Sequence, residues 1–215
     1  VFRRRQRQMC IRDRFNADGL RPVTRFYPFF DNTSGINLLP KLIEMSMING
    51  IFTKGENVEA LKDGKRVAIF RITQPDHKKG DINSPSLTFN ANPFDTSSSL
   101  GTSYSASSTV LNVDVNAVAD EAKGTYYGYI PASGKVTLLG QSSGAQAEVT
   151  NVRLVSDTYG DLYGTFFIED PLKDPTPSLR FKTGTSSFTL TSSPTKEDPN
   201  IGSALISSGQ TEYVT

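Results

Sequence analysis

The chain is predicted to be all-β, built from tandem small β-barrel or β-sandwich modules with long loops. Three observations predict this. Short runs of alternating apolar residues recur between clusters of Ser, Thr, Gly, Asn and Asp. Helical periodicity is rare along the 215 residues. Glycine stands at most of the corners between the apolar runs, where a chain turning back on itself needs it.

The first residues are set aside before the elements are read. Arg4-Arg5-Gln6-Arg7-Gln8-Met9-Cys10-Ile11-Arg12-Asp13-Arg14 resembles a translated transposon-type sequencing adapter that ends in a transposase recognition end. Foreign segments do not belong in fold reasoning. Residues 1–14 are therefore expected to be disordered, with native sequence starting near Phe15. The chain carries 23 Lys+Arg and 22 Asp+Glu, of which residues 1–14 hold six arginines and one aspartate; the remaining 17 basic and 21 acidic residues give a net charge of −4. The pI near 8.0 thus comes from the leader. An Arg-rich arm would ordinarily point to nucleic acid, but here no nucleic-acid partner is expected. Cys10 is the single cysteine and lies in the leader. No disulfide, thiolate zinc site or thiol nucleophile can then be built. No apolar run reaches the roughly 18–20 residues that span a bilayer, so no membrane partner is expected. The final run Gln210-Thr211-Glu212-Tyr213-Val214-Thr215 stops in mid-pattern, which is what an internal piece of a longer protein would show.

A first module is expected over residues 15–120. Phe26 to Phe30 is an aromatic run closed by the turn cluster Asp31-Asn32-Thr33-Ser34-Gly35. Leu38 to Ile48 has an ambiguous period, which fits a one-sided strand from Lys41 to Ile48 slightly better than a helix. Ile51 to Val58 reads as strand, turn, strand around Lys54-Gly55. Val67 to Ile72 is apolar on both faces and should be a central strand. Residues 74–109 are polar and rich in Ser, Asn and Pro, a long loop of the kind that usually has a function or an ordering partner. Val110 to Val115 is a strand, and Asn116 caps a short helical turn through Glu121.

A second module, residues 121–170, carries five short strands: Tyr126 to Ile130, Lys135 to Leu139, Ala145 to Val149, Val152 to Val155 and Tyr163 to Ile168. Glycine and proline break them, which suits a small SH3-like β-barrel whose closure removes exposed edges. The Pro-rich stretch Asp170 to Pro177 links to the start of a further module over 171–215, with strands at Leu179 to Phe181, Ser187 to Leu190 and Ser203 to Ser207. Ile51 to Val58 and Tyr129 to Val136 are also alike, and each leads through a turn into another strand. Two barrels of one ancestry would explain the likeness, and so would generic hairpin composition.

Four groups invite a chemical reading. Gly140-Gln141-Ser142-Ser143-Gly144 fits Gly-x-Ser-x-Gly, which exposes a nucleophilic serine when it links a strand to a helix near a later histidine. No histidine follows Ser142, and Ala145 to Val149 alternates like a strand, so a Gly/Ser hairpin turn is expected. His77, the only histidine, could act as a base with Asp114 and Ser142, but it sits among charged residues of a polar loop, where a solvated imidazole is the common outcome. Asp157 and Asp161, then Glu169, Asp170 and Asp174, could hold calcium; their spacing matches no known loop, and Asp-rich turns use the same residues. Phe26, Tyr27, Phe29 and Phe30 could stack sugars or bases or fill a core. Neither a catalytic residue, nor a cofactor site, nor a metal site is expected, and the chain is not expected to be an enzyme.

Leu20-Arg21-Pro22-Val23-Thr24-Arg25-Phe26 resembles the corner before a late strand of fibronectin-type sandwiches, where a tyrosine hydroxyl bonds back to the backbone. Phe26 stands at that position, so the bond is lost or passes to Tyr27. More broadly, four strings resemble large β-rich virion structural proteins of tailed phages, especially contractile-tailed marine cyanophages. They are Gly19 to Asp31, Tyr104 to Asp114, Ser143 to Ala147, and Phe181 to Gly184 running into Phe188 to Ser193. In that family a glycine follows Phe-Phe-Asp; here it is Asn32, which leaves the turn type open. The resemblance implies a tail, baseplate or fibre component located in the virion. Its partners would be other virion proteins and further copies of itself. A glycan or host-receptor-binding module of a tail fibre is the alternative.

Overall fold

A computed structural model describes residues 11–22, 24–73, 103–114, 127–131, 134–152, 154–156, 160–168, 184–196 and 207–214. All regular structure among them is β, in three antiparallel sheets, one of them a curled half-barrel. The strands are β1 (Ile11–Ala17), β2 (Arg25–Phe30), β3 (Asn37–Pro40), β4 (Leu42–Asn49), β5 (Asn57–Lys62), β6 (Lys65–Arg71) and β7 (Val110–Asn112). They continue with β8 (Tyr127–Gly128), β9 (Val136–Gly140), β10 (Gln146–Asn151), β11 (Leu154–Val155), β12 (Leu162–Ile168), β13 (Thr185–Thr191) and β14 (Ser208–Val214).

Two sheets form a sandwich, ordered β1-β12-β3 and β11-β2-β13-β14. Their inner faces enclose Phe15, Leu20, Phe26, Phe30, Ile36, Leu154, Leu162, Phe166, Ile168, Phe188 and Leu190. The centre is a run of phenyl rings. Phe166 stacks on Phe188 at 4.9 Å, Phe15 lies 5.1 Å from Phe188, and Phe30 lies 6.3 Å from Phe166. Each such ring removes apolar surface worth roughly 2–3 kcal/mol, and each ring pair adds about 0.5–1.5 kcal/mol. Gly164 stands opposite Phe15 in the ladder, and a Cβ there would lie 2.4 Å from the Phe15 ring.

The third sheet, ordered β7-β4-β10-β9-β5-β6-β8, curls around a second core. Phe52, Phe70, Leu111 and Leu138 fill it, while Ala60, Ala68, Ala145 and Ala147 let the wall bend inward. Register shifts in the β10–β4 and β5–β6 ladders supply the bend, since an extra residue on one strand increases local coiling. β6 is central, as its two apolar faces predict: it lies between β5 and β8, and its continuation Ile72 bridges Val113 beyond β7.

The order of these units differs from the expected boundaries at residues 120 and 170. All strands of the curled sheet, β4 to β10, lie between β3 and β11 of the sandwich, so one unit is nested inside the other. β10, expected in the second module, pairs with β4 of the first, and β12 pairs with β1 and β3. The two similar hairpins do not make two barrels; β5–β6 and β9–β10 lie side by side in one sheet through the β5–β9 ladder. Local alternation identifies a strand but not its neighbour, because a ladder is made by backbone groups that every residue carries. The same reasoning explains β1. It begins at Ile11 and pairs with β12 from Ile11↔Ile168 onward, so residues 11–14 are strand rather than disordered leader.

Smaller differences have local causes. Residues 51–53 form no strand, because Glu56 N–H bonds back to Thr53 O at 3.1 Å and makes a turn there. The left-handed residue after the aromatic run is Asp31, with φ 52°, rather than Asn32; its Oδ1 accepts from Ser187 N–H at 2.9 Å. The expected strand at 179–181, the strand expected over 203–207 up to residue 206, the helical turn after Asn116 and most of the loop 74–109 lie outside the described residues.

Candidate functional site

The Gly-x-Ser-x-Gly segment is the hairpin turn between β9 and β10, as the alternation after it predicts. Its anchor is Glu56, only 5% exposed, which precedes β5. Glu56 Oε1 accepts from Thr53 N–H at 2.6 Å and Ser143 Oγ–H at 2.8 Å; Oε2 accepts from Ser142 N–H and Ser143 N–H at 3.0 Å each. Two consecutive amides aimed at one carboxylate make a small anion nest, filled here by the protein's own side chain. Gly140 is required for this approach, since a Cβ on it would lie 2.4 Å from Ser143 Oγ and 2.8 Å from the carboxylate. The Ser143 hydroxyl thus donates to an acceptor inside a turn, and Ser142 contributes its backbone.

The second polar cluster joins the two ends of the curled sheet. Arg71 Nε and Nη2 donate to Asp114 Oδ2 at 2.8 and 2.6 Å, and the Asp114 side chain is fully buried. Lys41 Nζ, also buried, donates to Asn112 Oδ1 at 3.1 Å. Thr73 N–H donates to Asn112 O at 2.9 Å. In a regular narrow pair the Asn112 N–H would return the bond to Thr73 O. Here the phenol of Tyr104 is inserted: Asn112 N–H donates to Tyr104 Oη at 3.1 Å, and Tyr104 O–H donates to Thr73 O at 2.6 Å. The ring itself packs edge-on against Phe52, 6.3 Å away. Tyr104 to Asp114, one of the strings singled out in the sequence, is therefore the segment that closes this seam.

The corner resembling fibronectin sandwiches is held by a hydroxyl, but from another residue. Buried Ser156 Oγ donates to Arg21 O at 2.6 Å and accepts from Thr24 N–H at 3.0 Å. Phe26 enters the sandwich core. Gly160, with φ 80°, lets Leu20 approach so closely that a Cβ would lie 2.1 Å from Leu20 O.

Phe26, Phe29 and Phe30 are buried, so their faces are not open to a sugar or base; Tyr27 is half-buried with the Arg25 guanidinium 5.0 Å above its ring. His77, Asp157, Glu169, Asp170 and Asp174 lie outside the described residues. Asp161 is within reach of Tyr163 Oη at 3.5 Å. Among the described residues no group of three or more His, Cys, Asp or Glu converges as a metal site would. Among them, too, no helix is long and apolar enough to cross a membrane.

Among the described residues, the sandwich leaves an edge open. β1 ends one sheet of the sandwich and β14 ends the other. Between them lies a cleft of about 210 Å³, lined on one side by Phe15 to Leu20 and on the other by Ser208 to Thr211, with Phe188 and Leu190 at its base. Among the described residues, this cleft of mixed polarity beside an unfilled ladder is the surface best suited to contact. Sequence reasoning missed it, because Ser208 to Glu212 shows neither apolar alternation nor a recognisable motif. Glu56 and Ser156 were missed for a similar reason: each is a lone polar residue with deciding partners far along the chain, Ser142 and Ser143 for Glu56, Arg21 and Thr24 for Ser156. No protein-family model, curated protein or solved structure matches the chain.

Proposed function

We propose that this chain is a virion structural protein of a tailed phage, from the tail, baseplate or fibre region, acting through protein–protein contacts. The observation that carries the contact reading is β14, a seven-residue strand whose outer side has no neighbour among the described residues. Unfilled strand edges recruit other strands. The polar groups described above support the same reading, since Glu56, Arg71, Asp114, Tyr104 and Ser156 each hold a turn, a seam or a corner in place. The phage assignment rests on the resemblance of the four strings.

The test is proteomic. Tryptic peptides of this chain should concentrate in purified tailed particles that carry its gene, together with tail-tube, sheath or baseplate proteins. On the source contig, genes for those proteins should flank this one. Recovery of the peptides only from the cellular fraction, beside metabolic neighbours on the contig, would overturn the assignment.

A further inference from the structure

We infer that β14 is self-complementary and that two copies of this chain pair along it, antiparallel, about a two-fold axis through Thr211. The inference rests on the assembly reading above and names the partner for it. β14 runs in unbroken register with β13, from Thr185↔Val214 to Thr191↔Ser208, with no bulge. It contains no lysine and no proline, and Ser208, Gln210, Thr211 and Glu212 are exposed. Lysine, proline and bulges are the usual devices that stop one edge from pairing with another. Their absence leaves Glu212 as the single charge on the strand.

The sequence of the strand then selects the register. A two-fold axis normal to the sheet keeps each side chain on its own face, so it must pass through a residue rather than between two. Thr211 is the middle of β14 and gives the longest ladder. It sets Ser208 opposite residue 214 of the second copy, Gly209 opposite residue 213, Gln210 opposite Glu212, and Thr211 opposite itself. Each Glu212 carboxylate then faces an amide that can donate to it, and the central pair is Thr–Thr, both favourable across strands. Moving the axis to Glu212 shortens the ladder and sets two carboxylates face to face. Gly209 and Thr211 oppose Leu190 and Phe188 across the β13 ladder, so they share the core face of the sheet. Pairing through Thr211 therefore joins two four-stranded sheets with both sandwich cores on the same side. The cleft beside Gly209 to Thr211, which has Phe188 and Leu190 in its lining along with polar side chains, lies next to the incoming copy, so the contact is not limited to backbone donors and acceptors.

The experiment uses the full chain with Cys10→Ser, so that introduced thiols are unique. Thr211→Cys should form an intermolecular disulfide on mild oxidation, because the axis brings residue 211 opposite its own copy, within bridging distance. Gln210→Cys should not, because its own copy lies two residues out of register. Sedimentation equilibrium provides the second arm. Gln210→Lys creates two Lys–Glu pairs and should tighten dimerisation about tenfold; Gln210→Glu creates two carboxylate pairs and should weaken it about tenfold. Both effects should shrink in high salt. A chain that stays monomeric and forms no disulfide at residue 211 overturns the inference and leaves the edge to a strand of another sequence. A dimer indifferent to residue 210 overturns it too. Neither outcome touches the particle proteomics, so failure of self-pairing and failure of the virion reading are distinguishable.

Discussion

Replacing Glu56 with glutamine is the sharpest perturbation of the curled sheet. The two side chains have the same shape, and only one oxygen changes to an NH₂. Both carboxylate oxygens accept hydrogen bonds, Oε1 from Thr53 N–H and Ser143 Oγ–H, Oε2 from Ser142 N–H and Ser143 N–H. Whichever way the amide turns, its NH₂ meets at least one backbone N–H, and the charge that strengthened all four bonds is gone. Hydrogen bonds to a charged group are worth about 1.5–3 kcal/mol each, but the released donors on the exposed turn regain water, so the net loss is about 2–4 kcal/mol for Glu56→Gln, with Glu56→Ala close to it. Urea unfolding monitored by tyrosine fluorescence reads this directly, since the chain has eight tyrosines and no tryptophan. Gly140→Ala provides a cross-check. Its new Cβ would meet the Glu56 carboxylate at 2.8 Å, so its penalty should fall by at least about 1 kcal/mol in the Glu56→Ala background, a coupling that independent sites do not show. A Glu56→Gln protein within about 0.5 kcal/mol of the parent would refute the claim that both oxygens serve backbone donors.

Three further outcomes are expected. Tyr104→Phe removes the hydroxyl relay between Asn112 N–H and Thr73 O; stability should drop by about 1–3 kcal/mol, and hydrogen exchange at the Asn112 amide should accelerate while β13 and β14 amides keep their protection. Phe166→Ala empties the middle of the ring stack, where the side chain is wholly buried, and should cost about 3–5 kcal/mol in thermal or urea unfolding; a smaller loss would mean that the two facing sheets collapse into the gap. Ser156→Ala unties Arg21 O and Thr24 N–H at the sandwich corner and should cost about 1–2 kcal/mol, whereas Tyr27→Phe should be neutral, a contrast that a fluorescence-monitored melt of each variant would reveal.

How much of this was legible in the sequence differs from element to element. β9, β10 and β12 follow from alternation, because residues two apart share a face and a half-buried strand must segregate them; β6 follows from its two apolar faces, and for β4 the alternation only slightly outweighs a helical period. The turn at Gly140 to Gly144 follows too, since glycine, serine and the strand-like run after it agree. β14 did not emerge: Ser208-Gly209-Gln210-Thr211-Glu212 has no apolar side to mark it, and β13 alone gives it a register. The candidate contact edge was therefore invisible, although the four strings that suggested a virion protein were plain.

Taken alone, the order of residues determined the all-β class and where most of the described strands and turns fall. Tertiary structure decided which strand lies beside which: a curled sheet set within a sandwich, a phenol inserted into a ladder, a carboxylate gripped by a turn far along the chain. The reason is physical. Side-chain periodicity is a local property that each segment carries with it, whereas strand pairing uses backbone groups common to all segments, so partners are chosen only when apolar faces, bulges and buried polar groups are satisfied together in three dimensions.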